Sequence, residues 1–370
     1  MDSTRLPVAS RSVAPPRAGG VTAWARRNLF RSVGDTCITI ILASLAGVLA
    51  AALVRWLVLD AAWRGTTLAD CPASDAACWP FLHARFPQFI YGFYPAAERW
   101  RINLAFGLGA IIAASMLLRP VRRRLAIVTG LLLLWPIVAA VLMHGGVLGL
   151  TAVDTTRWGG FSLTLFMAAS ATAVALPLGI LLALARRSQQ PVVRALAVGW
   201  IEFWRAVPML PVLFVAVSMF PLFMPEGVDL DRFSRAMAAF TIVTACFLAE
   251  AIRGGLQAIP SPQYEAAYAL GMGHWRTMGL IILPQAFAIA LPSMVNVVIV
   301  LFKDTTLVNV IGIFCLLGMV QAAATSPQWM SEQSVMTGYV LAAAIYWVCC
   351  FAMSRIGLRL EARLARGRRA

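Results

Sequence analysis

The sequence predicts an all-α, polytopic membrane protein with about eight transmembrane helices. Apolar residues make up 60% of the 370 and charged residues 13%, against roughly 45–50% and 25% in soluble domains. The apolar residues gather in uninterrupted blocks close to the ~20 residues that carry a helix across a hydrocarbon core. Arginines flank those blocks on alternate sides. Backbone groups in lipid must pair within their own segment, and blocks this long exclude the short alternating strands of a barrel.

The first expected span, 36–58, follows residues 1–35, a stretch rich in Arg, Pro, Ser and Ala without apolar period that reads as a disordered cytoplasmic tail. Residues 59–101 then form a long external loop, in which Trp79, Tyr91, Tyr94 and Trp100 are placed to ride at the headgroup level. Spans at 102–118 and 125–144 complete an N-terminal three-helix extension over 36–157. Trp158-Gly159-Gly160 opens a five-span module over 158–358, with spans at 158–185, 196–224, 236–252, 285–302 and 334–354. A basic cytoplasmic tail, 359–370, closes the chain.

The net charge is +15, carried almost wholly by arginine, with Lys303 the only lysine. Such a balance suggests nucleic acid, but its placement argues for a membrane. Arg5 to Arg31, Arg119 to Arg124, Arg186 to Arg194, Arg253 with Arg276, and Arg355 to Arg369 all fall on one side if the span count is even, which puts both termini in the cytoplasm of a bacterial inner membrane. The lipid bilayer, and not nucleic acid, is then the expected partner. Cys71 and Cys78 fall in the external loop, in an oxidising compartment, and the sequence leaves open whether they are joined.

Between spans six and seven, a cytoplasmic segment reads as two short helices joined by a glycine turn. Ser261 is the expected cap, Pro262 the first helical position and Glu265 a first-turn carboxylate. Ala266, Ala267 and Ala269 offer a close-approach surface, Gly271 and Gly273 a left-handed turn, and Pro284 the entry to span seven.

Glu265-Ala266-Ala267, three residues, Gly271, nine residues, Ile281, one residue, Leu283-Pro284 resembles the EAA loop, about 261–284, of bacterial binding-protein-dependent ABC importers. Glu202-Phe203-Trp204-Arg205-Ala206-Val207-Pro208 is similar to a stretch of the polar amino-acid permeases, with Ala206 where glycine is usual. Glu250-Ala251-Ile252-Arg253-Gly254-Gly255 and Lys303-Asp304-Thr305-Thr306 also look like that family, and the extension resembles the long permease of general L-amino-acid importers. The resemblance implies a type I importer core in the C-terminal module. It implies a pathway for L-amino acids shared with a second permease, a periplasmic binding protein that delivers them, and ABC ATPase subunits that Glu265, Ala266, Ala267, Gly271, Ile281, Leu283 and Pro284 engage.

An ionisable residue near bilayer depth costs at least a few kcal/mol unless paired or facing water. Glu202 and Arg205 stand one turn apart, as do Glu250 and Arg253, and each pair reads either as an interfacial tie of the bundle or as part of a substrate pathway. Pro208 and Pro211 interrupt the same helix and free carbonyls that can line a cavity. Lys303, Asp304, Thr305 and Thr306, at the outer end of span seven, are further pathway candidates, with snorkelling as the alternative for Lys303.

A P-loop needs a Gly-Lys-Ser/Thr step, and the sole lysine follows Phe302. ATP and magnesium are therefore expected on a partner ATPase, and this chain is expected to be a transport subunit, not an enzyme, that binds no cofactor. His83, His144 and His274 are scattered, so no metal site is expected. A solitary secondary transporter would need coupling carboxylates or an inverted repeat, and neither is clear.

Overall fold

The computed structural model describes residues 20–71, 75–116, 122–147, 149–225, 227 and 230–366. Helices account for nearly all of them, and there is no β-strand among the described residues. The chain divides into two compact units.

One unit holds α1 (Val21–Asn28), α2 (Val33–Val54) and residues 75–77. Ser32 caps α2 by accepting from the Asp35 amide at 3.1 Å, which satisfies one of the orphan donors at a helix start. The helix runs on through a wider turn, Arg55–Leu59. Part of the tail expected to be disordered is thus helical, because Val21–Asn28 has an apolar face too short to register as a span; residues 1–19 lie outside the described residues.

The second unit takes residues 62–71 and the chain from Cys78, and its first α-helix, α3 (Trp79–Tyr91), falls inside the stretch expected to be a loop. Its Phe81 and Phe89 are fully buried and pack on α13 (Leu316–Ala324) and α14 (Glu332–Arg366). Burying two aromatic rings removes enough apolar surface from water to order a helix that its polar flanks disguise. Tyr94, expected at the headgroups, is instead buried, and its hydroxyl donates to the Met143 carbonyl at 2.8 Å. Trp79 stacks on Trp63 at 5.1 Å, while Trp100 is exposed. Cys71 and Cys78 are joined by a disulfide.

Next come α4 (Arg99–Met116) and α5 (Arg122–His144), an antiparallel pair tied by the Trp135 indole donating to the Ala105 carbonyl at 2.8 Å. Arg101, only 2% exposed, is held by Glu98 at 2.6 Å and by both oxygens of Thr151. A buried guanidinium needs such acceptors, and here both terminal nitrogens have them.

Around these stand α6 (Gly160–Arg186), α7 (Pro191–Ala206), α8 (Met209–Phe214), α9 (Arg232–Gln257), α10 (Ser261–Ala269), α11 (His274–Thr277) and α12 (Leu283–Asp304). The centre is α6 against α9 and α9 against α12, lined by Ala175, Ala183, Ala245, Ala249 and Ala286. Small residues let the backbones approach, which supplies the packing contacts that drive helix association in lipid. At Gly255 the approach is limiting, since a Cβ there would lie 2.3 Å from the Ala286 carbonyl.

Among the described residues five helices are long and apolar enough to cross a membrane: Val33–Leu59, Gly160–Arg186, Arg232–Gln257, His274–Ile311 and Glu332–Ala362. Pro191–Ala206 with Met209–Phe223 makes a sixth if that bent pair is one span. The other two expected spans coincide with α4, whose first turn carries Arg99 and Arg101, and with α5, which is apolar over Gly130–His144. Span seven proves far longer than the expected 285–302. The last helix also continues to Arg366 through most of the predicted basic tail, because arginines and leucines favour helix as much as solvation; residues 367–370 lie outside the described residues.

Candidate functional site

The expected span 196–224 is interrupted at Pro208, as the prolines predict. Val207 precedes a proline, whose ring clashes with a helical conformation of its neighbour, and takes an extended one, φ −84 and ψ 126. Pro208 has no amide hydrogen to continue α7 and starts α8 instead. The two halves meet at 102°.

The corner opens a cavity of about 450 Å³, walled by Arg205, Val207, Pro208, Phe247, Asn296 and Asp304 among others. The Arg205 guanidinium lies 5.6 Å from the Phe247 ring centre, and its buried Nε has no hydrogen-bond partner. Its carboxylate neighbours are distant, Glu202 and Glu250 each at 3.7 Å. Arg186, at the end of α6, pairs more closely with both, at 2.9 Å each, and Arg253 holds Glu250 at 2.9 Å. Three guanidinium groups therefore share two carboxylates, leaving one positive charge in excess beside the cavity. Asp304 supplies the negative charge on the wall and forms no ion pair among the described residues.

Of the residues singled out in the sequence, Arg205 and Asp304 thus meet at one cavity. Glu202 and Glu250 serve as ion-pair partners, Glu202 half-exposed and Glu250 only 14% exposed. Lys303 is exposed and lies off the cavity wall. The Thr305 and Thr306 hydroxyls turn back to the Phe302 and Lys303 carbonyls at 2.7 and 2.9 Å, satisfying the end of α12. Nothing in the sequence separates Arg186 from the other arginines at span ends, whose charge membrane orientation explains equally well.

The segment 261–284 forms one separate short helix, α10, and a glycine turn, while the second expected short helix, from His274, is the start of the long helix His274–Ile311. The cap of α10 is Pro260, not Ser261, which is already helical; Pro262 is at the second position and Glu265 lies beyond the first turn. A proline restricted to φ near −65° suits the entry and no side-chain cap is made. Gly271 is left-handed, φ +73, whereas Gly273 at φ −69 is not. One left-handed residue suffices, since the Met272 amide donates to Ala267 at 3.1 Å and the Gly271 amide to Tyr268 at 2.9 Å, the pair of bonds that ends a helix at glycine.

Glu265, Ala266, Ala269, Gly271 and Pro284 are exposed, while Ala267 is buried and Ile281 and Leu283 pack against the buried cluster that includes Ile201, Ile252 and Leu256. Pro284 adjoins a wider turn, Met278–Ile282, which carries α11 into α12 without a break. The segment is anchored to α6 as well: Arg187 donates to the Leu256 carbonyl and to the Tyr264 hydroxyl, both at 3.2 Å.

The sequence profile of the family described as binding-protein-dependent transport system inner membrane component matches residues 175–366, from within α6 to the end of α14 and over half of the 370 residues. The chain belongs to that family. This transport component is 46% identical, over 93% of its length and 93% of the relative's, to the inner membrane amino-acid ABC transporter permease protein YhdY of Escherichia coli (strain K12). It is 34% identical, over 96% of each chain, to the glutamate/glutamine/aspartate/asparagine transport system permease protein BztC of Rhodobacter capsulatus. A solved structure described as an amino acid ABC transporter with histidines aligns with 55% of the transport component and 92% of its own chain, at TM-score 0.49 and 29% identity.

Proposed function

We propose that this transport component is the permease subunit of an amino-acid importer, forming with a second permease the pathway by which L-amino acids enter from the periplasm. The observation that carries the reading is the meeting of Arg205 and Asp304 on one cavity at the break between α7 and α8. A zwitterion has a carboxylate that a guanidinium fork can hold and an ammonium that a carboxylate can accept. At membrane depth both charges gain more from such partners than they would in water. The printed names of the two long relatives, an amino-acid permease and one for glutamate, glutamine, aspartate and asparagine, support the same class of cargo.

The chain's residues divide the work. Arg205 and Asp304 receive the amino acid, while Arg186, Glu202, Glu250 and Arg253 join the ends of α6, α7 and α9 beneath the cavity. Residues 261–284 present Glu265, Ala266 and Gly271 to a separate ATPase subunit, whose closure moves α10 and, through Ile281 and Leu283, the long helix that ends at Asp304. Transport is then a shift between two arrangements, each favoured by a ligand on its own side. Both termini lie in the cytoplasm, on the side of residues 261–284, and a periplasmic binding protein supplies the cargo at the other face.

The test is uptake of labelled amino acids by proteoliposomes holding the whole complex, with and without internal ATP. ATP-dependent uptake that Glu265→Lys abolishes, while the variant inserts normally, is the result expected. Uptake by the purified chain without any ATPase would overturn the reading in favour of a solitary transporter.

A further inference from the structure

Away from the α7–α8 corner, a second cavity of about 450 Å³ opens between α3, the start of α4 and the end of α13. Its wall carries two guanidinium groups, Arg85 and Arg99, together with Gln88, Phe93, Tyr94 and Ser326. The local fold explains how they meet. Arg85 and Gln88 are three residues apart and share one face of α3. Gly92 then ends α3 with φ +64, and a Cβ there would lie 2.5 Å from the Gly159 backbone, so only glycine permits the turn that brings Arg99 back beside them.

No carboxylate is among the residues of this wall, and neither arginine forms an ion pair among the described residues. Glu98, adjacent to Arg99 in sequence, is committed to Arg101 at 2.6 Å. Among the described residues Arg85 donates to neutral acceptors, Gln328 Oε1 and Ser326 Oγ. Arg99 lies over the Tyr91 ring at 5.2 Å, and its buried Nε has no hydrogen-bond partner. Tyr94 adds no negative charge, since burial pushes its phenol up and its proton is held on the Met143 carbonyl. Two like charges sharing one cavity repel, and an orphaned buried donor is costly unless something accepts from it.

We propose that this cavity is a second ligand site, distinct from the one at Arg205 and Asp304, that takes a small organic carboxylate between Arg85 and Arg99. The class follows from the wall: guanidinium forks pair a planar carboxylate in register, Gln88 and Ser326 add neutral hydrogen bonds, and Phe93, half-exposed, offers a face for the carbon skeleton. The volume falls in the ~300–1,000 Å³ range of small-molecule sites. Because α13 contributes Ala322 and the turn after it Ser326, while α3 and α4 contribute the arginines, a bound carboxylate links the N-terminal extension to the family-matched core.

The test uses the full chain in its complex, purified in an uncharged detergent, with sodium succinate as probe and sodium chloride at matched ionic strength as control. Succinate has no ammonium group, so it does not satisfy Asp304. A saturable rise in unfolding temperature is expected, with an apparent Kd weakened at least ~10-fold by Arg85→Lys or Arg99→Gln and unchanged by Arg205→Gln. The lysine variant keeps the charge and loses only the fork, so it also guards against simple misfolding. No saturable shift beyond chloride, or a shift that both variants leave intact, would overturn the proposal. An equal response to inorganic phosphate would overturn the carboxylate assignment. Loss of the shift on Arg205→Gln alone would place the probe in the other cavity and overturn the second site, without touching the transport reading.

Discussion

Arg187, the first residue after α6, donates through one guanidinium nitrogen to the hydroxyl of Tyr264 on α10, at 3.2 Å, and lies 5.9 Å from the same ring's centre. Its neighbour Arg186 turns the other way, into the carboxylates Glu202 and Glu250 below the cavity. Two consecutive arginines thus tie the exposed segment 261–284 to the α7–α8 corner. Arg187→Gln should leave the complex assembled and cost less than ~1 kcal/mol of stability, because the contact is exposed. Its expected signature is a lower ratio of amino acid moved to ATP hydrolysed, measured in proteoliposomes; an unchanged ratio would remove Arg187 from the connection.

Gly271 and Gly273 should behave differently. A Cβ at either meets nothing within 4 Å, so sterics do not separate them, but only Gly271 is left-handed. Gly271→Val should cost about 1–2 kcal/mol in backbone strain and loosen the close of α10, reducing ATPase-coupled uptake. Gly273→Ala should be nearly silent in the same assay.

Glu250 and Glu202 offer a second contrast. Glu250 is 14% exposed and touches Arg186, Arg205 and Arg253; Glu202 is 52% exposed and touches Arg186 and Arg205. Glu250→Gln leaves three partly buried cations without their shared carboxylate and should cost about 1.5–3 kcal/mol. Glu202→Gln should cost under ~1 kcal/mol. Thermal unfolding of the detergent-solubilised complex distinguishes the two, and equal shifts would show that the network is not organised around Glu250.

The Cys71–Cys78 bridge closes a short loop, with a sequence separation of 7. Restricting so short a loop in the unfolded chain is worth about 2–3 kcal/mol in the chain-entropy account. Serine at both positions should lower the unfolding temperature, and non-reducing proteolysis of the native chain should release the two cysteines in one linked peptide.

Much of this was legible in the sequence because hydrophobic blocks report helices directly. Glu265 to Pro284 announced a helix, a glycine turn and a second helix, and Pro208 announced the interruption of α7. Pattern alone did not give the 102° corner or the cavity it opens, since a proline after Val207 predicts a break without predicting its angle. The helix α3 was hidden because Phe81 and Phe89 sit among His83, Arg85 and Gln88, whose polarity reads as loop until α13 and α14 supply the burial. Arg186 and Arg187 were hidden for the opposite reason: their charge already had an explanation in membrane orientation.

The most direct measurement of the central claim is binding of a labelled amino acid to the purified complex, compared among the native chain, Arg205→Gln, Asp304→Asn and the double variant. The account expects each single variant to weaken binding by about tenfold or more, the loss of one charged hydrogen-bonded contact. It also expects the double variant to lose less than the two effects added, because both residues act on one bound molecule. Native affinity in all three variants would contradict it, and the α7–α8 corner would then be a structural bend and nothing more.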